Sequence, residues 1–225
     1  MQNFEILTEL KNAARIKHLL YAEKNIFKRV IGKLTNSMNL IDYKLGQPKI
    51  IPNEFIRQEP WEIEYLFTVA SHTNLGILET GRFNGGSALI FSAANNRIPI
   101  YSIDINPQND EKLLDICKNL NIGYNLDLII GDSQKTKYSQ IKELDLIFID
   151  GDHSFEGCLS DLINWWPNLV KGGHVLLHDC YLGSEVQKAV IKFLNEHSAQ
   201  VIVSPYIPYE HRRNVTGSIC HFVKL

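Results

Sequence analysis

The sequence predicts an α/β fold built on a seven-stranded, mostly parallel sheet whose last strand is reversed. Three observations carry that expectation. From Pro60 onward short apolar runs alternate with helix-like segments, the runs are apolar on both faces, and the final two are joined by a loop without a helical pattern. Strands buried on both faces and separated by helices form a parallel sheet covered on each side. A parallel pair needs a crossover of about a dozen residues or more, usually helical, so a loop-joined final strand is expected to run antiparallel.

Residues 1 to about 45 place Phe4, Leu7, Leu10, Ala14, Leu19 and Leu20 close to one stripe with charges between them, the spacing of an amphipathic helix. This helical extension is expected to pack on the main domain or on a second copy of the chain, giving a homo-oligomer, or to close as a lid over a substrate. The stretch GQPKIIPNEF at 46–55 holds two prolines and a glycine and reads as a linker. The division is therefore a helical N-terminal extension with its linker at 1–55, followed by the main domain at 56–225.

In the main domain a helix is expected from Trp61 to about Ser71. The apolar runs are LGILET (75–80), IPIYSID (98–104), NLDLIIGD (125–132), LDLIFIDGD (144–152) and GGHVLLHD (172–179), and helix-like segments lie near 85–95, 109–120, 134–142, 156–168 and 184–196. QVIVS at 200–204 and SICHFVKL at 218–225 complete the sheet.

With 225 residues, 44% hydrophobic and 21% charged, the chain is long enough for one well-buried core. A formal net charge of -2 supplies no general drive toward nucleic acid or an anionic membrane, so neither is expected as a partner. The opening MQNFEILTELKNAARIKHLL mixes acids, bases and amides, unlike the apolar region of a secretory signal, and no run approaches the roughly 18 apolar residues of a spanning helix. The four cysteines, Cys117, Cys158, Cys180 and Cys220, form no CxxC pair, which argues against a zinc knuckle or a disulfide framework. A reducing cytoplasm is the expected setting.

Open α/β sheets bind ligands outside the carboxyl ends of their strands, and the polar residues of this chain collect there. The first strand ends at Glu79 and enters the turn Gly81-Arg82-Phe83-Asn84-Gly85-Gly86; the next ends are Asp104, then Gly131-Asp132-Ser133, then Asp150-Gly151-Asp152-His153, then His178-Asp179. A single acid at such a place caps a helix or shapes a turn, but five successive strand ends of this kind ask for a ligand. Asp104, 25 residues after Glu79, can accept hydrogen bonds from both hydroxyls of a ribose. The glycine spacing is not the G-x-G-x-x-G of a pyrophosphate site, so an adenosine ligand without pyrophosphate is preferred over a nicotinamide dinucleotide.

The runs ILETGRFNGGSAL, IYSIDINP, LIIGDS and LDLIFIDGDHSFEGCLSDLINWWPNLVKGGHVLLHDC together resemble the successive motifs of class I S-adenosylmethionine-dependent methyltransferases, a Rossmann-like three-layer sandwich. Within that class they look most like the branch of macrocin-type sugar O-methyltransferases and cephalosporin hydroxylase-like proteins. The resemblance covers about residues 60–180 and implies S-adenosyl-L-methionine as cofactor. Glu79, Gly81, Gly85 and Ser87 would meet the methionine part, Asp104 the ribose hydroxyls, and Asp132 and Ser133 the adenine, with Asp150 close by. A cationic sulfonium suits a turn with one basic residue, Arg82, and no P-loop lysine.

The same branch often uses a divalent metal. Asp150 and Asp179 end neighbouring strands, which lie about 4.8 Å apart, so their carboxylates could share an ion. Oxygen ligands favour Mg²⁺ or Ca²⁺, and adding His178 tilts the site toward Mn²⁺. The family commonly places an acid beside the second aspartate, and catechol-type relatives an amide after it; here His178 precedes Asp179 and Cys180 follows. His153, three residues past Asp150, stands where the resemblance implies a general base, with Asp152 set to cap the next helix. The expected chemistry is O-methylation of a small hydroxylated acceptor such as a sugar, and its alternatives are an NAD(P)-dependent oxidoreductase and a non-catalytic cofactor-binding relative. His174, inside a strand, and Trp165-Trp166, on a helix, are expected to serve packing, while the 206–215 loop with Tyr209, His211, Arg212 and Arg213 either gates an acceptor or is solvated.

Overall fold

In the computed structural model of the chain, which describes residues 6–8, 10–11, 51, 55–135, 138–203 and 219–225, seven strands form one sheet in the order β3-β2-β1-β4-β5-β7-β6. The strands are β1 (Ile77–Thr80), β2 (Ile100–Asp104), β3 (Leu126–Ile130), β4 (Leu144–Ile149), β5 (Leu169–Leu177), β6 (Val201–Val203) and β7 (Cys220–Lys224). β1 to β5 pair in parallel, and β7 runs antiparallel between β5 and β6, as the lack of a helical pattern in the sequence before it predicts. The helices are α1 (Pro60–Ser71), α2 (Gly86–Ala94), α3 (Asp110–Leu120), α4 (Phe155–Trp165) and α5 (Glu185–Glu196).

The period of two along the strands assigns the faces. Ile77, Leu146, Phe148 and Leu176 pack with α1, α2 and α3 through residues such as Ile63, Leu66, Phe91 and Leu113. Their neighbours Leu78, Ile147, Val175 and Leu177 pack with α4 and α5 through Leu162, Trp165, Val190 and Phe193. Both faces are therefore apolar and the fold has three layers. Ile6, Leu10, Ile51, Phe55 and Ile56 join the first of these cores, and Lys11 Nζ sits 2.5 Å from Glu64 Oε2 on α1. At those residues the N-terminal stripe packs on the main domain; the rest of the extension, the 46–50 and 52–54 parts of the linker and the 206–215 loop lie outside the described residues.

Helix starts follow local chemistry. Pro60 opens α1 behind a Glu59–Glu62 capping box, Ser154 accepts from the Gly157 N–H at the head of α4, and Ser184 accepts from the Gln187 N–H at the head of α5. Pro167 ends the 156–168 helical pattern early: α4 stops at Trp165, and a 3₁₀ turn over Trp166–Asn168 leads straight into β5. β5 starts before the predicted 172, and its register jumps from Leu144↔Leu169 to Leu146↔His174, so Gly172 and Gly173 sit in a bulge.

The helix expected at 134–142 does not form among its described residues, which are turns and coil. QKTKYSQIK offers only two large apolar side chains, too few for a stripe that would offset helix nucleation. Each acts instead as a single anchor: Ile141 is buried, and Tyr138 stacks on Trp165 with centroids 6.4 Å apart and planes within 2°. No helix among the described residues is long and apolar enough to cross a membrane.

Candidate active site

The parallel ladder continues one step beyond the strands and lines up the polar residues at their carboxyl ends. Gly81 N–H donates to Ile103 C=O, Asp150 N–H to Thr80 C=O, His178 N–H to Ile149 C=O and Gly131 N–H to Asp104 C=O, all at 2.9–3.0 Å. Two groups of side chains result, one around β1, β2 and β3, the other around β4 and β5.

In the first group Glu79 is fully buried. Its Oε2 accepts the Ser102 hydroxyl, while Oε1 has no hydrogen-bond partner. Burial pushes this carboxyl up to about 7 against the opposing pull of Ser102, Ser87 and Arg82. A buried acceptor without a donor is costly, and an ammonium group would complete it. Asp104 accepts the Phe83 N–H at 2.7 Å and the Asn106 N–H at 2.6 Å, so it also holds the glycine turn against β2. Ile105, just after Asp104, and Ile130, at the end of β3, stand 72% and 69% exposed, apolar surface of the kind a planar ring covers. Neither was singled out in the sequence, because an isoleucine ending a strand looks like core.

The glycines act differently from the close ligand approach that their sequence suggested. Gly81 and Gly85 both have φ +87, and a Cβ on Gly81 would lie 2.2 Å from the Asp150 carbonyl oxygen and 2.4 Å from Gly151 Cα. On Gly85 it would meet the Leu113 side chain at 2.7 Å. These positions are glycine because β1's turn is wedged against the β4 loop and α3. Arg82 is likewise turned inward, with its Nε and Nη2 2.8 and 2.9 Å from the two Asp110 carboxylate oxygens and Nη1 donating to Ser102 C=O. A bidentate pair of this kind, with its guanidinium buried, is a fastener for α3.

Asp132 accepts the Gln134 N–H at 3.0 Å and pairs with Lys135 at 2.9 Å; the Lys135 bond holds its carboxyl below the usual range. Ser133 points inward, donating to Asp161 Oδ1 at 2.8 Å, and Thr80 donates to Asp161 Oδ2 at 2.9 Å. Asp161 is thus a buried tie between β1, the β3–β4 loop and α4, and burial pushes it up to about 6. Its signal in the sequence is an acid inside the apolar stripe Cys158, Leu162, Trp165. Ser87 is buried beside Glu79 and opposes the upward push on its carboxyl.

The second group converges as the strand ends suggested. One ligand atom each from Asp150, His153 and Asp179 lies within 4.8 Å of the others. His153 Nε2 is 3.3 Å from Asp150 Oδ1, and its Nδ1 is 3.4 Å from Asp179 Oδ2. His178 lies behind them, with Nδ1 3.2 Å from Asp150 Oδ1 and 3.6 Å from Asp179 Oδ2, and Nε2 3.2 Å from Glu62 Oε1 on α1. Neither His178 nitrogen nor Glu62 Oε1 makes an aligned hydrogen bond, so these are ion-pair approaches.

Burial alone would raise Asp150, but His178 and His153 outweigh it and hold the carboxyl below the usual range. For His178 burial works downward and is overcome by Asp150, Asp179 and Glu62, which lift the imidazole well above 6.5. The Asp150 bond likewise raises His153, and the approach of His178 lowers Asp179. Asp179 adopts φ +54, a backbone that aspartate tolerates better than most residues. Two carboxylates with an imidazole beside them are a donor set that suits Mg²⁺ or Mn²⁺. Asp152 faces away, accepting the Ser154 N–H at 2.9 Å, in keeping with its helix-capping expectation. The residue that sequence reading missed is Glu62; its only trace there is an acid four residues before the core Leu66.

A family profile described as a methyltransferase domain matches residues 78–180. No curated protein matches the sequence. Among solved structures the chain is similar to the O-methyltransferase NovP at 13% identity and a TM-score of 0.57, covering 72% of this chain and 79% of that one. It is similar to SMU.1697c of Streptococcus mutans, solved in complex with SAH, at 17% identity and 0.55, covering 76% and 100%. An rRNA methylase from Streptococcus thermophilus matches at 14% identity and 0.58, covering 76% and 99%. These likenesses establish the fold.

Proposed function

We propose, on the premise that this chain carries a methyltransferase domain of the class I fold, that it transfers a methyl group from S-adenosylmethionine to a hydroxyl of a small polyhydroxylated molecule such as a sugar. The observation that carries the reading is the pairing of an unsatisfied buried Glu79 Oε1 at the end of β1 with the Asp150–His153–Asp179 cluster at the ends of β4 and β5. Glu79 would take the α-ammonium of the donor and Asp104 its ribose hydroxyls, with Ile105 and Ile130 beside the adenine. Gly81 and Gly85 shape the turn that lets the chain's backbone N–H groups face the donor's carboxylate, Ser87 steadies Glu79, and Asp132 forms the adenine-side rim, with the Ser133 hydroxyl behind it held by Asp161.

Asp150 and Asp179, with His178 from behind, would hold a divalent ion, which when bound lowers the pKa of an acceptor hydroxyl. His153, the more exposed of the two histidines, would take the acceptor's proton on a ring nitrogen. The acceptor oxygen forms its bond to the methyl carbon as the carbon–sulfur bond breaks, and the sulfur keeps that electron pair. A net charge of -2 favours a small acceptor over RNA. The Gly81-x-x-x-Gly85-Gly86 spacing disfavours a nicotinamide enzyme, and the convergence of Asp150, His153 and Asp179 at the strand ends favours catalysis over a purely binding role.

The test is ligand response followed by label transfer. S-adenosylhomocysteine should raise the thermal midpoint whereas NAD should not, and methyl-labelled S-adenosylmethionine should label a hydroxylated small molecule from an acceptor panel. Protection by NAD alone, or label found only in RNA, would overturn the reading.

Glu79 adds a pH signature. With its carboxyl near 7 in the free protein, part of the population is protonated at neutral pH, and an ammonium ligand favours the ionised form. Binding should then release protons, so affinity for S-adenosylhomocysteine should rise with pH between about 6 and 7.5. Calorimetry in two buffers of different ionisation enthalpy measures the released protons, and Glu79→Gln should bind more weakly with a flatter pH profile. Equal affinity across that window in the unaltered chain would take the ammonium away from Glu79.

A further inference from the structure

We infer that Glu62, on α1 and outside residues 78–180, is a positioning residue that holds the His178 ring with Nδ1 facing Asp150 and Asp179 as a metal ligand. The inference rests on the metal-assisted reading above. The two ring nitrogens face different partners: Nδ1 lies 3.2 Å from Asp150 and 3.6 Å from Asp179, and Nε2 lies 3.2 Å from Glu62 Oε1. A neutral imidazole carries one proton. With that proton on Nε2 and directed at Glu62, the lone pair stays on Nδ1 between the aspartates, where an ion would be held. With the proton on Nδ1 the ring could not ligate there.

Glu62 is built for the task. Its side chain is 1% exposed, and Oε2 already accepts the Glu59 N–H at 2.8 Å, so the carboxylate cannot swing away. Capping uses one oxygen and is served equally well by an exposed acid; burying the second oxygen against an imidazole costs desolvation and calls for a partner. The Phe148 ring meets His178 edge-on, with centroids 6.3 Å apart, and limits rotation of the imidazole. A metal-ligating histidine commonly donates its other N–H to a carboxylate, which fixes the tautomer. α1 thereby contributes to the site through a residue that touches neither donor nor acceptor.

Glu62→Gln in the full chain separates this role from capping. The amide oxygen can keep the Glu59 cap, and the amide NH₂ then faces Nε2, donor against donor, which drives the proton to Nδ1. Mn²⁺ affinity, read from the paramagnetic resonance of free Mn²⁺, should fall about 10–100-fold. S-adenosylhomocysteine affinity should stay unchanged. In the unaltered chain loaded with Mg²⁺, the ¹⁵N shifts of His178 should report a protonated Nε2, a reading that does not depend on any variant folding.

Equal Mn²⁺ affinity in Glu62→Gln, or a protonated Nδ1 in the Mg²⁺-loaded chain, overturns the role of Glu62 and leaves the metal site standing. An unaltered chain that binds S-adenosylhomocysteine but not Mn²⁺ overturns the metal-assisted reading and this inference with it, leaving the donor assignment intact.

Discussion

Asp179→Asn is expected to lower methyl transfer by about 10²–10³-fold, the scale of losing one preorganised electrostatic group at a reacting centre, while changing affinity for S-adenosylhomocysteine by less than about threefold. Asparagine is the informative replacement. Asp179 sits at φ +54, which asparagine tolerates and alanine does not, so alanine would mix backbone strain with the loss of charge. The carboxylate lies 3.4 Å from His153 and 3.6 Å from His178, on the β5 side of the cluster and away from Glu79. Single-turnover kinetics with saturating donor, beside a calorimetric titration of the product, separates the two effects. Transfer at the unaltered rate would remove Asp179 from the chemistry.

Gly81→Ala is expected to cost about 2–5 kcal/mol of stability, with much of the chain recovered unfolded. A left-handed backbone costs a non-glycine residue about 1–2 kcal/mol, and overpacking costs a further ~1–3 kcal/mol. The second contribution is unavoidable here, because the new Cβ would lie 2.2 Å from the carbonyl oxygen of Asp150 and 2.4 Å from Gly151 Cα, and neither backbone atom can rotate away. Gly172→Ala supplies the control: φ is +78, and nothing lies within 4 Å of its added Cβ. It should show the conformational cost alone. Urea midpoints of the two variants measure the difference, and equal midpoints would refute the wedge between the β1 turn and the β4 loop. Because the same wedge sets Asp150 beside the turn, surviving Gly81→Ala protein should also bind donor and metal less well.

The sequence was a reliable guide where one element's chemistry is self-contained. Ile77 to Thr80 and Leu144 to Ile149 are continuous apolar runs because a strand with helices on both faces has no polar side to show. Parallel strands ending together bring Glu79, Asp104, Asp150 and Asp179 to one edge of the sheet, and that edge could be named from the order of elements. The reading was weaker for 134–142, where average helical spacing concealed the lack of an apolar stripe, and for β5, where Gly172 and Gly173 looked like a strand start and proved to be a bulge.

Among the site residues the difference is one of contact. In the sequence Arg82 is only the one basic residue of the glycine turn, and the structure gives its guanidinium to Asp110 and the Ser102 carbonyl. Ser133 looked like an adenine-side hydroxyl, yet it donates to Asp161. Glu62 carried only the acid of a helix-capping pattern, with no sign of His178. Each of these depends on a partner far away in the chain, and local periodicity contains no information about which distant polar groups will meet.

The amino-acid sequence by itself determined the parallel core, the reversed last strand and the polar edge at the strand ends, since side-chain alternation, turn residues and connection length act over short stretches of chain. Only the tertiary structure decided which of those polar groups face a ligand and which are fasteners. Burial sets the cost of every unpaired donor or acceptor; it leaves Glu79 Oε1 at the end of β1 without a donor, while the fold brings Asp150, His153 and Asp179 within reach of one ion.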